Sequence, residues 1–233
     1  LSGKIIRFTV FFIVSLAILY FLLRAFIMGK IPTLRRLDAV DQIKEIVGRC
    51  VETGRPIWYM MDMVNLEVPY FLVSTVAALQ TLAYTSRQTA QLGADLFVPV
   101  NQGLAFSVAS DIVEESYIAE GKRENFVPNE TVKYLAGGAD RPYILNHMKS
   151  DNIGGALFLG MWYHKAIMFT ETAARQGAVT LGGTDDTANF AFMVAVCDYW
   201  VLGEEMYALG AYDCRIGRLC FSLIRQDIGK YMA

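Results

Sequence analysis

Apolar and polar positions divide this chain into one long apolar run and a series of shorter, punctuated segments. The run covers residues 5–28 (IIRFTVFFIVSLAILYFLLRAFIM), with Arg7 and Arg24 near its two ends. A helix needs about 20 apolar residues to cross a bilayer core of about 30 Å, and terminal arginines snorkel to the headgroups. The apolar stretch outruns that of a signal peptide, and no small-x-small cleavage pattern follows Leu23. The pattern therefore predicts a retained, single-pass transmembrane anchor. Arg24, Lys30, Arg35 and Arg36 follow it before the first acid, Asp38, against Lys4 and Arg7 ahead of it. The more basic flank is the cytoplasmic one, so the remainder is expected on the cytoplasmic face of a cell membrane, in contact with the lipid bilayer.

Beyond the run, helical and extended patterns alternate. Leu37, Val40, Ile43, Val47 and Cys50 or Val51 recur at helical spacing over 38–53, with Asp38 as cap and Gly54 as stop. Residues 56–61 read as a strand and 62–68 as a loop. Pro69 opens a helix that runs to Gln91 and closes at Gly93. A second strand over 94–100, a turn at 101–103 and a helix over 104–120 follow. A short helix starts at Glu130 and breaks at Gly137-Gly138, and 141–149 fits strand or helix. Residues 153–176 read as one long helix, 178–181 as a third strand, 187–209 as an apolar helix, and 219–230 as strand then helix. This alternation predicts an α/β layered domain with a largely parallel sheet of at least three strands. The organisation is an anchor over 1–30, a juxtamembrane segment and amphipathic helix over 31–55, and the α/β domain over 56–233.

Charge narrows the partners. Lys and Arg total 21 against 23 Asp and Glu, a net charge of −2, and no basic stripe interleaves with aromatics, so nucleic acid is not an expected partner. Charge is sparse over 152–212, which fits helices buried on all sides or contacts between subunits. Cys50, Cys197, Cys214 and Cys220 form no CxxC pair, and His147 and His164 are the only histidines. Buried free thiols are expected, with no metal and no cofactor. No serine sits in GxSxG.

In a parallel sheet, ligands collect beyond the carboxyl ends of the strands. Three predicted loops qualify: Asp62 with Asn65; Asn101 with Gln102; and Gly182-Gly183-Thr184-Asp185-Asp186. The last is the best single candidate, with Asn101 beside it, for a small-anion or nucleotide-like ligand. Two glycines permit close approach, and successive N–H groups at a helix start cradle anions. Against this, Asp185 and Asp186 repel a phosphate, and GGTDD is neither GxGxxG nor a P-loop. A turn capped by Thr184 or Asp185 accounts for the same residues. A second cluster is acidic: Asp198, Glu204, Glu205 and Asp213, with Glu171 upstream. Such acids bind a cation, act as acid and base, or pair with Arg175, Arg215 or Arg218; no ExxH or DxD spacing favours a metal. Gly154-Gly155 and Gly160 suit close packing, and His164-Lys165 falls inside the predicted long helix.

The segments GRPIWY, AEGKRENF, GGALFLG, TETAARQGAVTLGGT, CDYWVLGEEMYALGAY and QDIGK together resemble DUF6754, a prokaryotic membrane-anchored family built on a domain of unknown function. The resemblance implies a membrane protein of bacteria or archaea and brings no reaction with it. It draws Asp198, Glu204, Glu205, Asp227 and Lys230 together as a polar set of structural or functional role. Without a recognisable catalytic constellation, the expected function is a structural or scaffolding homo-oligomer at the cytoplasmic membrane face. The alternatives are a small-ligand-binding or enzymatic domain, and an accessory subunit of a larger membrane complex.

Overall fold

Short apolar runs bounded by glycine, proline or asparagine become the strands, and the longer periodic segments become the helices between them. The computed structural model describes residues 7–13, 15–16, 19–20, 37–62, 65–136, 140–162 and 165–210. The chain divides into two compact units, one of Leu1–Arg35 with Cys214–Ala233 and the other Arg36–Asp213. The second unit runs α1 (Asp38–Thr53), β1 (Ile57–Asp62), α2 (Pro69–Leu92), β2 (Leu96–Val100), α3 (Gly103–Ala119) and β3 (Val132–Tyr134). It continues with α4 (Asp140–Asp151), β4 (Gly155–Gly160), α5 (Lys165–Arg175), β5 (Val179–Thr184), α6 (Phe190–Val196), β6 (Tyr199–Leu202) and α7 (Glu204–Gly210).

The six strands form one sheet in the order β3-β2-β1-β4-β5-β6, and every neighbouring pair is parallel. The chain starts at the centre, winds outward through β2 and β3, crosses back to β4, and winds outward the other way. The reversal lies between β1 and β4. Both faces are covered, which explains why β1 and β4 read as unbroken apolar runs. On one face Trp58, Met60, Ala156 and Phe158 pack against Met148, Phe169, Met193 and Cys197. On the other, Tyr59 donates its hydroxyl to the Ala78 carbonyl of α2 at 2.5 Å. Helix α2 also packs on α1, α3 and α7. Helix α1 ends where Gly54 takes a left-handed φ of 63°, which lets its N–H reach back to the Cys50 and Val51 carbonyls.

Three expected elements change and one open choice is resolved. The predicted helix over 153–176 is β4 followed by α5. All six residues of β4 are buried, so it carries no alternation, and Asn152 at φ 50° turns the chain out of α4 into it. The predicted helix over 187–209 is a 3-10 turn (Thr187–Asn189), α6, β6 and α7. Gly203, at φ 62°, separates the last two. The short helix expected from Glu130 is β3, paired through Val132 with Val98 of β2. Residues 141–149 are helical, within α4. The strand and helix expected over 219–230 lie outside the described residues.

The single-pass anchor expected over residues 5–28 is corrected. Among the described residues no helix is long and apolar enough to cross a membrane. Helix α2 has the length, with 24 residues, but it carries Ser74, Thr75, Thr81, Thr85, Ser86, Arg87, Gln88 and Thr89 and belongs to the α/β domain. Helices α1 and α3, at 16 and 17 residues, are shorter than a span of about 20. Within 5–28 the described residues 7–13, 15–16 and 19–20 are helical, and the other positions of that stretch lie outside the described residues. The single-pass membrane assignment that rested on the run falls with it.

Candidate functional site

The reversal between β1 and β4 brings the carboxyl ends of the central strands to one edge of the sheet. A small cleft of about 20 Å³ opens there. Its apolar lining includes Met60 and Met61 of β1, Val100 of β2, Ile144 of α4, Trp162 just beyond β4, and Phe169 of α5. Its polar lining is Asn101, Asp140, Arg141 and Lys165.

Each polar group is placed by an element end. Asn101 follows the last residue of β2, and Asp140 opens α4 while only 9% exposed. The Asp140 carboxylate accepts the Arg141 backbone N–H at 2.9 Å and the Asn101 side-chain amide at 3.4 Å. That pairing compensates the buried acid and ties the β2 end to the start of α4. Arg141 is exposed and Lys165, the first residue of α5, is half-buried. Trp162 is 1% exposed, held edge-on between Phe158 and Phe169 with ring centroids 5.5 and 6.1 Å away. Its indole N–H has no acceptor among the described residues, and the same holds for Trp58 in the core beneath. Buried indole donors ordinarily find a partner. Arg141 and Lys165 bring two positive charges to a cleft that holds one carboxylate, and the Trp162 indole N–H has no acceptor among the described residues, which favours an anion.

The strand order is that of dinucleotide-binding folds, but the first strand-to-helix loop is built differently. Described residues 65–68 contain no glycine, and the Asn65 side-chain oxygen accepts the N–H groups of Glu67 and Val68 at 2.8 and 3.0 Å. Gln102 likewise takes the Ala105 N–H at the start of α3. Amides that would face a phosphate at those two helix starts are bonded within the protein.

The residues singled out from sequence are dispersed. Asn101 lines the cleft at β2, whereas Gly182, Gly183 and Thr184 are part of β5. In the sheet β1 and β4 separate those two strands, a distance of about 14 Å at the usual strand spacing. A side chain on Gly182 would meet Cys197 Sγ and Met193 Sδ at 2.7 and 2.8 Å, so close packing with α6 accounts for that glycine. Thr184 is fully buried, and its hydroxyl oxygen accepts the Asp186 N–H. Asp186, rather than Thr184 or Asp185, caps the following turn through Ala188 N–H at 3.0 Å. Asp185 bonds instead to Ser74 and Tyr207.

The described members of the acidic set are each held locally. Asp198 sits in the turn before β6, where its carboxylate accepts the Thr180 N–H and hydroxyl at 2.8 and 2.9 Å. Glu204 and Glu205 open α7, where negative charge suits the helix dipole. Glu171 pairs with Arg175 at 2.6 Å across one turn of α5. Asp213, Arg215, Arg218, Asp227, Lys230 and His164 lie outside the described residues. Cys50 and Cys197 are buried free thiols, which burial pushes up to about 11 and about 12. Trp162 and Lys165 carry no site signal in the sequence because β4 is hidden inside an apparent helix, and Asp140 and Arg141 carry none because 141–149 fits strand or helix. Once GALFLG is a strand, Trp162 and Lys165 become strand-end residues.

The chain belongs to the DUF6754 family, a domain of unknown function, whose family model matches residues 2–233. No curated protein matches the chain.

Proposed function

We propose that this member of the DUF6754 family binds a small anionic molecule in the cleft at the carboxyl ends of β1, β2 and β4. The observation that carries this reading is the convergence of Arg141, Lys165 and Asn101 on a cleft also lined by Trp162, whose buried N–H lacks an acceptor among the described residues. Arg141 and Lys165 receive the charge at the mouth of a small cleft walled by the buried Met60, Ile144 and Phe169. The test is titration of the full chain, followed by tryptophan fluorescence and calorimetry, with a panel of monocarboxylates, dicarboxylates and phosphate monoesters. At least one class binds saturably, and Lys165→Ala and Arg141→Ala each weaken it. Absence of binding across the panel, or unchanged affinity in both variants, overturns the proposal.

Self-association is a second reading, favoured by one feature. Tyr70, Val73 and Val76 recur one helical turn apart on α2 and are 65%, 57% and 39% exposed. Such a stripe suits a second copy of this chain and a scaffolding role. Native mass spectrometry reads it directly. A discrete multiple of the chain mass that collapses to monomer in Tyr70→Lys/Val73→Glu supports it, a second protein mass indicates an accessory subunit, and a monomer alone rejects it.

A further inference from the structure

Asp185 closes β5 and meets two helices. Its Oδ2 accepts the Ser74 hydroxyl of α2 at 2.5 Å and the Tyr207 phenol of α7, also at 2.5 Å. Ser74 is 1% exposed, and its contact with Asp185 is partly buried. The phenol keeps its proton at neutral pH. Burial first, then the hydrogen bond to Asp185 and its charge, push the phenol up to about 12. Both hydroxyl protons are thus committed to one carboxylate oxygen.

That commitment decides what the cluster can still bind. A hydroxyl has one proton to donate and lone pairs with which to accept. Ser74 Oγ and Tyr207 Oη have lone pairs left, and so has the second carboxylate oxygen. Asp185 Oδ1 is buried, and no donor among the described residues reaches it. Ser74 Oγ and Tyr207 Oη thus border one partly buried carboxylate whose second oxygen has no donor among the described residues, an arrangement that positive charge relieves. The adjacent acid contributes nothing, since Asp186 is occupied by Ala188 N–H and the Asn189 side-chain amide, the latter at 2.7 Å. One carboxylate among neutral oxygens does not meet the demand of a divalent ion for several anionic ligands or an ordered water shell. A singly charged cation is matched by it.

We propose that Ser74, Asp185 and Tyr207 form a binding site for a monovalent cation, an alkali metal ion or the ammonium group of an amine. The site shares no residue with the cleft. It joins α2, the end of β5 and α7, so an occupant would pin both helices to the sheet.

Thermal denaturation and calorimetry of the full chain in choline chloride test it, with titration of potassium, sodium, methylammonium or magnesium chloride at constant ionic strength. Saturable stabilisation by potassium or sodium identifies a metal ion site, and stabilisation by methylammonium alone identifies an amine site. Occupancy at one hundred times the dissociation constant raises Tm by several degrees in a domain of this size, on the order of 2.7 kcal/mol. Asp185→Asn abolishes the response. Tyr207→Phe preserves the ring packing and weakens it, which carries the test if Asp185→Asn does not fold. Identical melting in all salts overturns the proposal, as does a response to magnesium alone or one that persists undiminished in Tyr207→Phe.

Discussion

Leu159 of β4 and Gly183 of β5 are register partners, and the leucine fills the volume in which a Gly183 side chain would begin. A Cβ there would lie 2.2 Å from Leu159 Cδ2. Gly183 is therefore required by packing between central strands. Gly183→Ala should destabilise the domain by about 1–3 kcal/mol through overpacking, and Gly183→Val by more. Leu159→Ala opens that space, so the double variant Leu159→Ala/Gly183→Ala should be more stable than the two single losses sum to. Urea denaturation of the four proteins measures it. Additive losses would show that the contact does not exist.

How legible the fold was depended on whether chain chemistry marked the element ends. Helix α1 was bounded as Asp38–Thr53 from sequence, because Gly54 provides the left-handed residue that closes it. Helix α2 was delimited by Pro69 and Gly93 for the same kind of reason. Strand β4 was invisible, since a strand buried on both faces has no alternation and GALFLG merges with the helix after it. The site suffered in consequence. Asn101 was found because it follows a visible strand, whereas Trp162 and Lys165 follow a hidden one. Contacts such as Ser74 with Asp185 span 111 positions and have no local signature.

Asp198 and Thr180 form a reciprocal clasp that starts β5 and β6 in register. The Asp198 carboxylate takes the Thr180 N–H and hydroxyl, and the Asp198 N–H returns to the Thr180 oxygen at 3.0 Å. Thr180 is fully buried, so removing the acid leaves its N–H unsatisfied. Asp198→Ala should cost about 1–3 kcal/mol, and Asp198→Asn less, because the amide oxygen still accepts. Chemical denaturation separates the two. Equal stability of Asp198→Ala and the parent would rule out the clasp as a structural determinant.

Trp162→Phe isolates the orphan indole. The ring contacts with Phe158 and Phe169 survive in part, and a buried donor without an acceptor among the described residues is removed. Lost packing and relieved desolvation oppose each other, so stability should change by less than about 1.5 kcal/mol. Ligand affinity should fall by about tenfold if the N–H meets the anion, the equivalent of one hydrogen bond to a charged group. Calorimetry with the best-binding anion measures the second quantity and thermal denaturation the first. Unchanged affinity would remove Trp162 from the recognition set.

Alkaline pH should destabilise this domain through protons held by the thiols of Cys50 and Cys197 and the phenols of Tyr59, Tyr117 and Tyr207, all raised chiefly by burial. Burial chiefly raises the thiols of Cys50 and Cys197 from 9.0 to about 11 and about 12. Burial and Asp185 raise the Tyr207 phenol from 10.0 to about 12. In each case the folded state holds a proton that the unfolded chain releases at lower pH. The stabilisation is therefore complete below about pH 9 and is lost as pH rises through the folded values. Tm should be level from pH 7 to 8.5 and decline from pH 9 towards 12, with the phenols contributing only above pH 10. Cys197→Ala and Tyr207→Phe should each flatten part of that decline, and differential scanning calorimetry against pH resolves the parts. The same burial keeps both thiols unreactive, so mass mapping after alkylation at neutral pH should show Cys50 and Cys197 unmodified in the native protein and modified in urea. Rapid native alkylation at either position, or a decline identical in parent and variants, would mean that these protons are not held as the fold indicates.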